Sequence, residues 1–116
     1  MITVNMLHDE NRAKDLSALY ELENYEYMLT LDGDTEKAVM AVKAEGENLY
    51  IKLITALEDD MAEMAIRAAL AYGDNRGAVT AFTVDQSFDM HFQRVGFTEK
   101  DGVYTIEISK VVHYCG

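Results

Sequence analysis

Arg94-Val95-Gly96-Phe97-Thr98-Glu99-Lys100-Asp101-Gly102-Val103-Tyr104 is the stretch that decides the fold. Gly96 stops the segment 87–95, whose pattern predicts a short helix. Asp101-Gly102, set between extended segments at 97–100 and 103–108, is a two-residue hairpin signal. Upstream, residues 78–84 are rich in β-formers and read as a strand. Before them lies the strongest helical pattern in the chain. Asp59 or Asp60 opens it, Met61, Met64, Ala65, Ala68, Ala69 and Tyr72 recur at helical spacing, and Gly77 closes it. Residues 49–57 begin with Leu49-Tyr50-Ile51-Lys52-Leu53-Ile54, a nearly continuous apolar run expected of a central strand buried on both faces. Glu45-Gly46-Glu47-Asn48 joins it to a strand at 38–42, and Asp32-Gly33-Asp34 marks a turn after an extended segment at 25–31. At the start, Ile2, Val4 and Met6 alternate as in a strand, and Asp9 caps a helix carrying Leu16, Leu19 and Tyr20. The order is strand, helix, three antiparallel strands, helix, strand, helix, hairpin, which is an α+β fold of mixed layers.

Composition narrows the function classes. Over 116 residues, 21 acidic against 10 basic side chains leave a net charge of −11. Phosphate binding draws on Lys and Arg, so nucleic acid is a poor partner, and the same sign disfavours an anionic membrane surface. Apolar residues make up 49% of the chain, enough for a core rather than a disordered acidic tail. Cys115 is the single cysteine and has no internal partner, which fits a reducing compartment. Met1-Ile2-Thr3-Val4-Asn5 lacks the basic start of a secretory leader, and no run of about 18 apolar residues occurs. The expectation is one acidic, cytoplasmic domain spanning residues 1–116.

From Leu49 onward the order and punctuation resemble the GNAT superfamily of acyl-CoA-dependent N-acyltransferases. Ala65-Ile66-Arg67-Ala68-Ala69-Leu70-Ala71-Tyr72, running to Arg76-Gly77, is similar to that family's central helix. Arg94-Val95-Gly96-Phe97 and Lys100-Asp101-Gly102-Val103-Tyr104 are similar to its short helix ending in Gly-Phe and its last hairpin. The resemblance covers about 60 residues; the N-terminal part matches in element order and is shortened. It implies a central, mostly antiparallel sheet with flanking helices. It also implies a cofactor loop of the form Arg/Gln-x-x-Gly-x-Gly/Ala, where glycines admit the acetyl-CoA diphosphate to free N–H groups at a helix start. Here Leu57-Glu58-Asp59-Asp60-Met61-Ala62 stands in that place, and only Ala62 fits. Leu57 replaces the basic or amide residue, Asp60 replaces the first glycine, and three consecutive carboxylates face the phosphate position. Acidic residues also satisfy a helix N-terminus themselves. Four residues before Gly96, where the family's general-acid tyrosine would stand, this chain has Phe92, which carries no exchangeable proton. Asp85, seven residues before Phe92, takes the place of a common asparagine.

The resemblance therefore implies a diverged GNAT-like domain without normal acetyl-CoA binding. Its cleft, between the strand ending at Leu57 and the strand at 78–84, would serve as a ligand- or protein-binding module. The alternative is an acetyl-CoA-dependent N-acetyltransferase of an amine, with Glu58 or His91 as base and Leu57, Asp60, Met61 and Ala62 around the cofactor. His91 is of a residue type suited to acid–base work, but a partly buried helix histidine is the plainer reading. His113 with Cys115, and the run His8-Asp9-Glu10, have metal-capable side chains but no ligand spacing that asks for a metal, and none is expected. Met61, Met64 and Met90 read as core at helical spacing, or as an adaptable pocket lining. Tyr25 and Tyr27 alternate and would share one strand face, as a platform or a half-buried edge. The acidic runs 21–26, 32–36 and 58–63 read as solvated faces that would attract a small-molecule amine or a basic protein patch. An uncovered edge strand would make a homodimer natural.

Overall fold

The computed structural model describes residues 1–55, 59–85 and 88–112, with residues 59 and 60 described in backbone only. Leu57, Glu58, His113 and Cys115 lie outside the described residues. The alternating N-terminal residues form β1 (Ile2–Met6), and α1 (Glu10–Tyr20) follows. Asp9 caps α1 as expected, its carboxylate accepting from the amides of Asn11 and Arg12 at 3.1 Å each. Then come β2 (Glu26–Asp32), β3 (Thr35–Glu45), β4 (Asn48–Leu53) and α2 (Asp59–Asn75). The C-terminal half adds β5 (Thr80–Thr83), α3 (Asp89–Val95), β6 (Thr98–Lys100) and β7 (Val103–Glu107), with a 3₁₀ turn at Ile108–Lys110. Between β6 and β7, Asp101 and Gly102 both take positive φ (54° and 80°), the combination that a type I′ hairpin requires.

These strands make one sheet in the order β1-β2-β3-β4-β5-β7-β6, antiparallel at every contact except β4 with β5. On one face, α2 lays Ala65, Ile66, Ala69 and Leu70 on the sheet, and α3 adds Phe92 and Val95. Leu49, Ile51 and Leu53 of β4 meet them. The other face is covered only in part: α1 rests Ala13 and Leu16 against Tyr27, Val39 and Ala41 of β2 and β3. A 2.8 Å hydrogen bond between Ser17 and the Tyr27 hydroxyl pins α1 down. A two-pronged ion pair from Arg12 to Glu36 (2.6 Å for Nη2 to Oε2) adds a second tie, and it holds the Glu36 carboxyl below its ordinary range. Both side chains are more than a third exposed, so the pair contributes under about 1 kcal/mol.

Three expectations are corrected here. β4 is buried on one face, not two: Leu49, Ile51 and Leu53 point inward, whereas Lys52 is exposed and Tyr50 half-buried on the other side. Met64 and Met90 are not core; they are 43% and 61% exposed. The buried stripe of α2 is turned by one residue from the expected one, because alanines at 62, 65 and 69 let the helix approach and leave Ile66 and Leu70 to fill the gap. Tyr25 and Tyr27 do share one face, as expected: Tyr27 is fully buried beneath α1, and half-buried Tyr25 packs against the same cluster.

The approach of α2 is closest at Gly73, where an added Cβ would fall 2.7 Å from Leu49 Cδ2 and 3.2 Å from Leu49 Cβ. Alanine there gains about 1 kcal/mol in helix propensity, while overpacking a full core costs about 1–3 kcal/mol. Gly73→Ala is therefore expected to lower stability by up to about 2 kcal/mol in urea unfolding. A more stable variant would show that Leu49 has room to move.

Candidate functional site

The parallel pair is short. Asn48, Leu49 and Tyr50 of β4 pair with Thr80, Ala81 and Phe82 of β5, and pairing stops there although both strands continue. β4 stays with β3 beyond that point: Met40 pairs with Leu53, the Ile54 amide donates to the Val39 carbonyl at 3.1 Å, and the Val39 amide donates to Thr55 Oγ1 at 2.8 Å. β5 instead ends where the Asp85 amide donates to Thr83 Oγ1 at 3.2 Å. The strands part, and the backbone of β4 past Tyr50 faces a cleft of about 960 Å³ rather than a neighbouring strand. A cleft of this size accommodates a small organic ligand.

At the fork, the rings of Tyr50 and Phe82 stack across the last rung, 5.7 Å apart and 25° from parallel. Lys52 and Ile54 line the β4 wall, and Val84, Asp85 and Phe88 the other. Leu22, Tyr25 and Val103 complete the rim on the side that α1 leaves open. Lys43, the β3 partner of Tyr50, holds its ammonium over the Tyr25 and Tyr50 rings at 4.9 and 5.5 Å.

Among the described residues, Asp85 lines this cleft, whereas His91, Phe92, Met61 and Ala62 are not among its lining residues. Phe92 is completely buried, edge-on to Phe97 at 5.1 Å and stacked on Tyr104 at 6.3 Å, so it belongs to the core. His91 tilts against Phe88 at 6.0 Å and is not itself among the lining residues. Asp60 lies in the first turn of α2, Met61 is half-buried, and Ala62 is fully buried. Asp85 does line the cleft. The tyrosines with raised pKa lie elsewhere. Tyr104 is pushed up by burial and by Asp89. Tyr72, beneath the Arg76 guanidinium at 3.8 Å, is pushed up by burial and by Glu26. Among the described residues, no group of His, Cys, Asp and Glu is placed to hold a metal, and no helix is long and apolar enough to cross a membrane.

Sequence reading missed the aromatic floor. The signal was present in β4, where Tyr50 and Lys52 alternate with Leu49, Ile51 and Leu53; a period of two means two unlike faces.

No protein-family model and no curated protein matches this chain. Solved structures do. The ribosomal-protein-S18-alanine N-acetyltransferase of Escherichia coli aligns with a TM-score of 0.71 at 12% identity, over 93% of this chain and 94% of that one. A GNAT-family acetyltransferase of Staphylococcus aureus aligns with a TM-score of 0.71 at 9% identity, over 93% and 99%. This chain has the GNAT acetyltransferase fold. An acetyltransferase of Bacillus subtilis, solved in complex with CoA, aligns with a TM-score of 0.69 at 14% identity, over 92% and 99%. At these identities the likeness is one of fold, and fold alone carries no activity.

Whether the GNAT-fold cofactor suits this chain depends on the start of α2. The helix begins at Asp59, and from residue 53 to residue 66 there is no Lys or Arg but four carboxylates: Glu58, Asp59, Asp60 and Glu63. The first basic side chain on the helix, Arg67, is exposed and about two turns along. In sequence, this stretch offers a diphosphate carboxylates and no basic side chain.

Proposed function

We propose that this chain is a GNAT-fold binding module whose cleft between β4 and β5 takes a ligand other than acetyl-CoA. One observation carries the reading: α2, whose N-terminus would have to receive the diphosphate, opens on Asp59-Asp60. Two unit charges 4 Å apart repel by about 1 kcal/mol in water and about 4 kcal/mol at an effective dielectric of 20. Three such terms rival the roughly 8 kcal/mol behind a micromolar dissociation constant. Phe92 supports the same reading, since the position where the resemblance implies a general-acid tyrosine holds a buried ring without an exchangeable proton.

The retained fork and the open edge of β4 favour a second reading, an acetyl-CoA-dependent N-acetyltransferase that relies on orientation rather than on acid–base groups. Titration separates the two. With millimolar acetyl-CoA at low and moderate salt, calorimetry and thermal unfolding are expected to show no binding. A stabilisation of about 2.7 kcal/mol, the value for ligand at a hundredfold excess over its dissociation constant, would overturn the module reading.

A further inference from the structure

The cleft presents its own chemistry to a ligand. Its floor is the Tyr50–Phe82 stack, and beside it Val84 and Val103 leave 71% and 36% of their surface exposed. Lys52 stands two residues along β4 from Tyr50, hence on the same face of the sheet. Lys43, the other ammonium close by, is already engaged by two aromatic rings and lies 4.0 Å from a Glu45 carboxylate oxygen. Lys52 is in no ion pair among the described residues. Asp85, on the opposite wall, is the one carboxylate among the described lining residues.

Resting on the binding-module reading, we propose that the cleft takes an amphipathic monocarboxylate, with an aromatic or apolar body on Tyr50 and Phe82 and its single negative head at Lys52. Aromatic floors favour planar apolar groups by offset stacking. A cationic amine meets two ammoniums, Lys43 and Lys52, on the β3–β4 side. A doubly charged head would satisfy Lys52 and then oppose Asp85. The net charge of −11 sharpens the distinction, because the field of the whole molecule draws cations and repels anions. An anion that binds here does so through local contacts.

The test uses the full chain and two matched probes, phenylbutyrate and phenylbutylamine, followed by calorimetry and amide chemical shifts. Phenylbutyrate is expected to bind about fivefold more tightly than the amine, a ratio in keeping with one exposed charge contact. Its shifts should centre on Tyr50, Phe82 and Lys52. Lys52→Met, at an exposed position, should abolish the preference, while Tyr50→Leu should weaken both probes about fivefold through lost stacking. Equal or tighter binding of the amine, a preference unchanged in Lys52→Met, or no binding of phenylbutyrate at 10 millimolar (roughly 3 kcal/mol of affinity) overturns the proposal. Acetyl-CoA titrated in parallel reports on the binding-module reading separately, since its binding would sink that reading whatever the two probes do.

Discussion

Phe92→Ala is expected to destabilise the fold by about 3–5 kcal/mol, the range for emptying a fully buried aromatic position. The ring has no exposure and is packed between Phe97 and Tyr104, so its loss opens a cavity where α3 meets the final hairpin. Neighbouring backbone has little freedom to close it, because the amides of Gly96 and Phe97 both donate to the Phe92 carbonyl, at 3.2 and 3.0 Å. Urea unfolding at constant m-value measures the effect. A loss below about 1 kcal/mol would mean that the site collapses without cost or that the ring is not the core residue it is taken to be. Phe92→Tyr asks the functional question at the same position. A hydroxyl added inside this cluster without a partner costs about 1–3 kcal/mol. The variant is therefore expected to be less stable and to gain no acetyl transfer. Undiminished stability together with new turnover would place that hydroxyl in the cleft and favour the enzyme reading.

Local chemistry announced most of the scaffold. Asp9 has a free carboxylate before a periodic segment, and it caps α1; Asp101-Gly102 tolerates two positive φ values, and it turns the hairpin. Such signals act within a few residues, so they survive any tertiary context. The floor of the cleft is different. Tyr50 and Phe82 lie 32 positions apart and meet only because β4 and β5 pair in parallel for three rungs and then separate. That parting depends on β4 remaining tied to β3 through Val39 and Thr55, a partnership between distant segments that no periodicity encodes. The turned stripe of α2 has a similar origin. Methionine and alanine are both acceptable on a helix face, and the depth at which the helix sits decides between them; Gly73 against Leu49 sets that depth. Lys52 was hidden for another reason. One lysine inside an apolar run looks like an interruption of a buried strand, whereas in the folded chain it marks the face that α1 covers only in part.

Neutralising the loop before α2 is the second change with a large expected effect. In the triple variant Glu58→Gln, Asp59→Asn and Asp60→Asn, each removed charge relieves about 1 kcal/mol of repulsion against a diphosphate 4 Å away even at the dielectric of water. Together they amount to about 3 kcal/mol, or roughly a hundredfold in affinity for coenzyme A. Acidic residues favour a helix N-terminus by about 0.3–1 kcal/mol for each charge, so the variant is also expected to be slightly less stable. Coenzyme A is therefore expected to bind the variant measurably in calorimetry under conditions where the proposed reading expects no binding to the parent chain. Because the obstacle is electrostatic, the difference should narrow as salt shortens the screening length from about 10 Å at 0.1 M to about 3 Å at 1 M. Equal affinity in the two proteins would mean that charge was never the barrier, and the cause would then lie in loop shape, through the missing glycine at Asp60. Restoring a glycine-rich basic loop is the matching control: if it alone recovers binding, geometry outweighs repulsion, and if neutralisation suffices, the acidic side chains are the barrier.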